Sequence, residues 1–194
     1  MAGSPSLAEW IAPVYDLPAV LPDLAWAGHI PFLQLLFHCY RPKTFVELGV
    51  FSGTSFLAAC EAARASGLPV WVSFVVREGA RLLSKESIAD AVKAVEPLGV
   101  DVIAVNCAPI EDITAALAEL RKHRAGPVGA YAHIGRYDPP SWKFGFYPRF
   151  SGTDQVPPAS YLDAAREWKR LGAQVIGGSC GTTPEHIRAL RDRL

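Results

Sequence analysis

Val100-Asp-Val-Ile-Ala-Val-Asn-Cys107 and Gln174-Val-Ile-Gly-Gly-Ser-Cys-Gly-Thr-Thr-Pro-Glu-His-Ile187 decide the fold. The first is an apolar run that closes on a cysteine. The second passes from a short apolar run through a glycine turn into a helix start. Runs of this kind are strands buried on both faces of a parallel sheet, and such sheets place their chemistry at the strand carboxyl ends. Thiolates brought there from two strands make a site for a soft metal.

Working outward, three more apolar runs read as strands: Thr44–Val50, Val70–Val76 and Val128–His133. Between the runs lie Ser55–Ser66, Lys85–Leu98, Ile110–His123 and Ala159–Leu171, with apolar residues at helical spacing. Gly67, Gly99, Gly126 and Gly172 each follow such a segment, where a helix stops in a left-handed turn. Repeated β-α-β units imply parallel strands with right-handed crossovers. The expectation is a single α/β domain over 1–194, with five parallel strands and flanking helices. It forms either an open sheet or a partial, half TIM-like barrel. Residues 30–40 read as a buried helix, and residues 1–28 as an irregular arm. Gly135–Pro158, rich in proline and aromatic residues, is either a functional lid or an aromatic plug over one end of the core.

Composition narrows the class. Half of the 194 residues are hydrophobic, and 19 basic residues balance 19 acidic ones. Binding to nucleic acid or a membrane surface through bulk charge is therefore not expected. No apolar run is long enough to span a membrane, and no secretory leader is evident. Four cysteines, Cys39, Cys60, Cys107 and Cys180, are too few for a disulfide scaffold and suggest reduced thiols in the cytoplasm.

Residues 68–194 resemble the second half of the homocysteine S-methyltransferase family. The likeness rests on Leu68-Pro-Val-Trp-Val-Ser-Phe74, Gly79-Ala-Arg-Leu-Leu83 and the two stretches quoted first. The family folds as a (β/α)8 barrel. Its zinc is held by the cysteine of an Asn-Cys pair and by two adjacent cysteines in Gly-Gly-Cys-Cys-Gly, and it binds homocysteine as a thiolate that then accepts a methyl group from a donor. The resemblance places Asn106-Cys107 on the pair and Cys180 on the second cysteine of the doublet. Cys107 and Cys180 are thus implied as catalytic residues and zinc ligands. Ser179 stands where the first cysteine of the doublet belongs, and its hydroxyl is a poor zinc donor. His133, at the end of a strand lying between those of Cys107 and Cys180, completes a Cys2His set or serves as a hydrogen-bonded loop histidine. Inert buried cysteines are the alternative for Cys107 and Cys180. His186 reads as a residue that caps or packs in the first turn of the last helix.

Residues 26–67 resemble a different class. Trp26-Ala-Gly-His-Ile-Pro-Phe32 and Arg41-Pro-Lys-Thr-Phe-Val-Glu-Leu-Gly-Val-Phe-Ser-Gly-Thr-Ser55 look like the entry to a class I S-adenosylmethionine-dependent methyltransferase. That likeness implies Glu47, Gly49 and Gly53 as cofactor-binding residues, since glycine lets backbone N–H groups approach a ligand. A tight turn without a ligand is the alternative. The expected organisation is a Rossmann-methyltransferase-like fragment over 1–67 joined near Ser66–Val70 to a half-barrel over 68–194. Gene fusion and deliberate chimera both give this pattern. Five strands leave a barrel unclosed, so exposed edges should drive homo-oligomerisation. The functional expectation is zinc-assisted methyl transfer to a small thiol such as homocysteine, in a degenerate form. Its rival is an inactive chimeric or relic protein that mainly self-associates.

Overall fold

The computed structural model describes residues 30–46, 54–138 and 149–194. The chain falls into two compact units, Met1–Val70 and Trp71–Leu194. In the first, helix α1 (Ile30–Tyr40) packs on helix α2 (Thr54–Ala65). Ile30 and Phe37 of α1 are buried, and so are Ala58, Ala59 and Cys60 of α2. The Phe37 and Phe45 rings meet with centroids 5.1 Å apart. Of the strand expected over Thr44–Val50, residues 44–46 have no regular structure and 47–50 lie outside the described residues. Glu47, Gly49 and Gly53 lie outside them as well.

The second unit is an α/β layer. Its strands are β1 (Trp71–Arg77), β2 (Arg81–Leu82), β3 (Val102–Asn106), β4 (Val128–Tyr131) and β7 (Val175–Ile176). They form one open five-stranded sheet in the order β2-β1-β3-β4-β7. The count of five matches the expectation, but its make-up differs. Four strands are parallel, and the fifth is the two-residue β2, which turns back antiparallel on β1. A separate antiparallel pair, β5 (Arg136–Asp138) with β6 (Arg149–Ser151), occupies both ends of the proline-rich connection. That ordered hairpin was not read from the sequence, because a three-residue strand is too short to show a period. Residues 139–148, including Trp142, Phe144, Phe146 and Tyr147, lie outside the described residues.

Helices α3 (Ile88–Val95), α4 (Ile110–His123), α5 (Pro158–Arg170) and α6 (Pro184–Arg193) complete the unit. Each starts or stops for a visible reason. The Ser87 hydroxyl accepts the Asp90 N–H at 3.0 Å and caps α3. Glu111 and Asp112 open α4, and Arg121, Lys122 and His123 close it, which suits the helix dipole at both ends. Ile113, Ala116, Leu117 and Leu120 line one face of α4, all buried, and α4 packs on β1, β3 and β4. The sheet meets it with Ile103, Val105, Val128 and Ala130, also buried. On the other face of the sheet the register sets Ser73 beside Ala104, and Val75 beside Asn106, which faces Tyr131 in turn.

A buried tyrosine ties β4 to β7. The Tyr161 hydroxyl accepts the Ala132 N–H at 3.0 Å and donates to the Gly177 carbonyl at 2.8 Å. Its ring meets Trp168 edge-on at 5.5 Å, and the Trp168 indole N–H donates to Thr114 Oγ1 at 2.8 Å, linking α5 to α4. Burial pushes the Tyr161 phenol far above its ordinary pKa, so it stays a neutral donor. Removing the hydroxyl in Tyr161→Phe strands the buried Ala132 N–H. The expected loss is about 1–3 kcal/mol, seen as a lower urea midpoint at unchanged m-value. An unchanged midpoint would show that this hydroxyl does not hold the two strand ends together.

Candidate functional site

Two thiols meet at the carboxyl end of the parallel strands. Cys107 directly follows β3, and Cys180 lies four residues after β7. Strand alternation would send Cys107 to the face opposite Asn106. Its φ of +53° lies in the left-handed region, uncommon for a residue with a Cβ, and breaks that alternation. The Cys107 and Cys180 sulfurs are 3.7 Å apart.

Backbone hydrogen bonds beyond the strands hold this arrangement. The Cys107 N–H donates to Tyr131 O at 3.1 Å, and the His133 N–H to Ala108 O at 3.1 Å. From the other side, the Ser179 N–H donates to Ala132 O at 2.9 Å, and the Ile134 N–H to Cys180 O at 3.0 Å. The loop carrying Cys180 is tight. Thr182 Oγ1 donates to Ser179 O at 2.6 Å. Gly181 has a φ of +80°, and a Cβ there would come within 2.7 Å of the Ile134 carbonyl. At the end of that loop His186 caps α6, as expected. Its Nδ1 accepts the Thr183 N–H at 3.2 Å, which leaves Nε2–H to donate to the Val156 carbonyl at 2.9 Å. The His186 ring also meets Tyr161 edge-on at 5.7 Å.

The two sulfurs have the spacing that the implied zinc requires. Zn–S bonds of about 2.3 Å at a tetrahedral angle put two sulfurs about 3.8 Å apart. The Cys107–Cys180 separation therefore fits one edge of such a site. The Ser179 hydroxyl lies 4.0 Å from Cys180 Sγ and lowers the pKa of the Cys107 thiol. His133 does not join the pair: among the described residues no three His, Cys, Asp or Glu side chains form a metal-holding group. The reason is local, because the His133 ring is engaged by the Cys107 backbone carbonyl and faces Asp112. The residues thus supply two sulfur donors and a hydroxyl.

Electrostatics at this end follow from burial. Burial pushes the Cys107 thiol above its ordinary value, the neighbouring Cys180 adds to the rise, and the Ser179 hydroxyl opposes it. Burial also holds His133 below the usual imidazole range, against the pull of the Cys107 carbonyl and Asp112. Asp112 is raised by burial and by the charges of Glu78 and Glu111. Burial raises the Tyr131 phenol too, and the nearby Ser73 hydroxyl opposes the rise. Ser73, Asp112 and Tyr131 were not picked out from the sequence. The available signal was position, since Tyr131 ends β4 and Asp112 opens the helix after Cys107. A cleft of about 330 Å³ lined by Pro158, Glu185, Arg188 and Asp192 includes none of these groups.

The sequence matches the homocysteine S-methyltransferase family over residues 50–194. Homocysteine S-methyltransferase 1 of Zea mays is 33% identical over 124 residues, covering 63% of this chain and 37% of that protein. Homocysteine S-methyltransferase YbgG of Bacillus subtilis is 30% identical over 122 residues, covering 62% of this chain and 36% of that protein. The chain thus spans little more than a third of these relatives. Among solved structures, the apo form of the Escherichia coli homocysteine methyltransferase MmuM superposes with a TM-score of 0.52 at 27% identity. The match covers 71% of this chain and 44% of that one. The family match takes in residues 50–67, so the junction read near Ser66–Val70 lies inside one family match.

The thiols should differ in reactivity. Cys39 and Cys180 are exposed, Cys60 is buried, and Cys107 is half-buried with a raised pKa. Only the thiolate alkylates. In metal-free protein at pH 7.5, iodoacetamide should label Cys39 and Cys180 first and leave Cys60 unlabelled. Cys107 should lag and catch up only as the pH passes its ordinary value of 9.0. Peptide mapping by mass spectrometry that finds Cys107 as fast as Cys39 at pH 7.5 would contradict this electrostatic picture.

Proposed function

The chain belongs to the homocysteine S-methyltransferase family, and on that premise we propose that Cys107 and Cys180 hold zinc and present a homocysteine-type thiol to a methyl donor. The observation that carries this reading is the 3.7 Å separation of the two sulfurs at the strand ends. Bound zinc supplies one thing, the acidification of a coordinated thiol, so that a thiolate exists at neutral pH.

The residues of this chain do the rest. Cys107 and Cys180 give up their protons when they bind metal, so occupancy rises with pH. For Cys107 that loss works against its buried, raised pKa. Ser179 brings a hydroxyl to the position of a third donor. His133 bonds the Cys107 carbonyl and so steadies the residue that carries the first thiol. Methyl transfer then forms a bond from the acceptor sulfur to the methyl carbon. The donor's bond to that carbon breaks, and its electron pair leaves with the donor.

Ser179 also favours a weakened form of this activity. With two anionic donors in place of three, an acceptor thiolate is less basic, and thiolate nucleophilicity falls with basicity. Thiol binding with slow transfer is the consequence. Binding of S-adenosylmethionine at Glu47, Gly49 and Gly53 is a separate proposal that rests on the sequence pattern alone. Self-association is proposed from exposed Trp71, Val75 and Leu83, and a reducing, cytoplasmic setting from the free thiols.

Two measurements test the reading. Ser179→Cys should raise zinc affinity by tenfold or more, on the order of the gain from a third thiolate, and Cys107→Ala should abolish binding. Equal affinity in all three proteins would remove the site. Mass spectrometry of homocysteine with a methyl donor should then show slow methionine formation that is lost in Cys180→Ala and faster in Ser179→Cys. Methionine formation indifferent to both changes would place the chemistry elsewhere.

A further inference from the structure

We propose that the open sheet closes against a second copy of this chain, edge to opposite edge, into a parallel barrel of eight strands in which the strand beside Cys180 comes from the partner. This rests on the self-association proposed above and deepens it, by assigning the surface and the symmetry.

The two faces of the sheet differ. Helix α4 seals one, where Ile103, Val105, Val128 and Ala130 are each fully buried. The register places Trp71, Ser73, Val75, Asn106, Tyr131 and Val175 on the other. None of these is charged and none is fully buried, although Val102 and Ala104 between them are. Trp71 is 61% exposed and Val75 38%.

The edges are open as well. β2 pairs only with Val76 and Arg77 of β1, and the Leu83 N–H donates to the Val75 carbonyl at 2.9 Å. Among the described residues no strand lies on the outer side of residues 71–74, and none on the outer side of β7. Unpaired strand edges are templates for another chain.

A second copy is the occupant that satisfies face and edges together. The strands β1, β3, β4 and β7 all run parallel. A twofold axis along their direction sets β7 of each copy beside β1 of the other and keeps every strand parallel. Both pairs of edges then close at once, as an isologous dimer requires. Four strands doubled make eight, the number whose barrel interior side chains can fill. A face without charge meets its own copy with no like-charge repulsion. Length agrees, since the structure matches 44% of the MmuM chain and two copies come close to the whole. Cys180 follows β7, so closure brings the carboxyl end of the partner's β1 beside the thiol pair and completes its wall.

Sedimentation velocity on the full chain tests this closure. Wild type should be a dimer at micromolar concentration. Trp71→Lys on the β1 edge and Val175→Glu on the β7 edge should each raise the dissociation constant about thirtyfold or more. An equimolar mixture of the two variants should dimerise again. In the mixed dimer one interface is wild type, and the other pairs the new lysine with the new glutamate. Ile187→Lys, at an exposed position on α6, should leave the dimer unchanged. Should circular dichroism show Val175→Glu unfolded, Val175→Ser takes its place, with the same loss and the same rescue expected. A dimer that ignores both edge changes overturns the closure. So does one broken by Trp71→Lys but not by the change at Val175, one broken by Ile187→Lys, or a loss that mixing does not rescue. A monomeric wild type overturns the self-association reading itself, and this inference with it.

Discussion

The thiol pair depends on a backbone ladder that outlasts its strands. By hydrogen-bond pairing β7 is only two residues long, yet the Gly177, Ser179 and Ile134 N–H groups continue the contact between the β4 and β7 ends. Those bonds carry Cys180 to within 3.7 Å of Cys107. Without them the Gly177–Thr183 segment would be a loose loop, and the entropy of placing one sulfur against another would fall on the metal or the ligand. The Tyr161 hydroxyl anchors the same segment from below, and His186 fixes its far end to the start of α6. Glycine at position 181 is part of the same constraint, because a side chain there would strike the Ile134 carbonyl.

Rigidity at the strand ends sets the electrostatics. Burial holds the Cys107 thiol above its ordinary pKa, so the metal binding proposed above would have to release that proton. The imidazole of His133 is held neutral by burial and engaged by a backbone carbonyl, so it supports Cys107 instead of competing for the same ligand. Ser179 is the one donor position with no charge to lose. On the zinc reading proposed above, it would leave the pair able to gather a thiol but weak in activating it.

Much of this layer was legible in the chain. The Val-Ile-Ala run before Cys107 must be a buried strand, because every side chain in it is apolar and small enough to sit between helices. The glycine after Leu98 adopts the left-handed turn expected of a helix stop, with φ of +69°. The Ile110–His123 helix has the bounds its period implied. Where the reading differed, the pattern was too short or too ambiguous. Arg81–Leu82 has only two residues in which to show alternation, and it joins the sheet because the turn after β1 folds it back. The apolar run from Thr44 reads as a strand by composition alone, and residues 44–46 are irregular.

The sequence by itself determined the strand-and-helix rhythm of residues 70–194, the family, and the placing of Cys107 and Cys180 at strand ends. These follow from hydrophobic periodicity and from motif spacing, which are local properties. Only the tertiary structure decided which side chains share the site. Cys107 reaches its partner through a left-handed φ that strand alternation does not anticipate, His133 turns to a carbonyl, and Asn106 is left with an unpaired oxygen. Each outcome depends on one dihedral angle or one hydrogen bond between segments distant in sequence, and no local pattern encodes those.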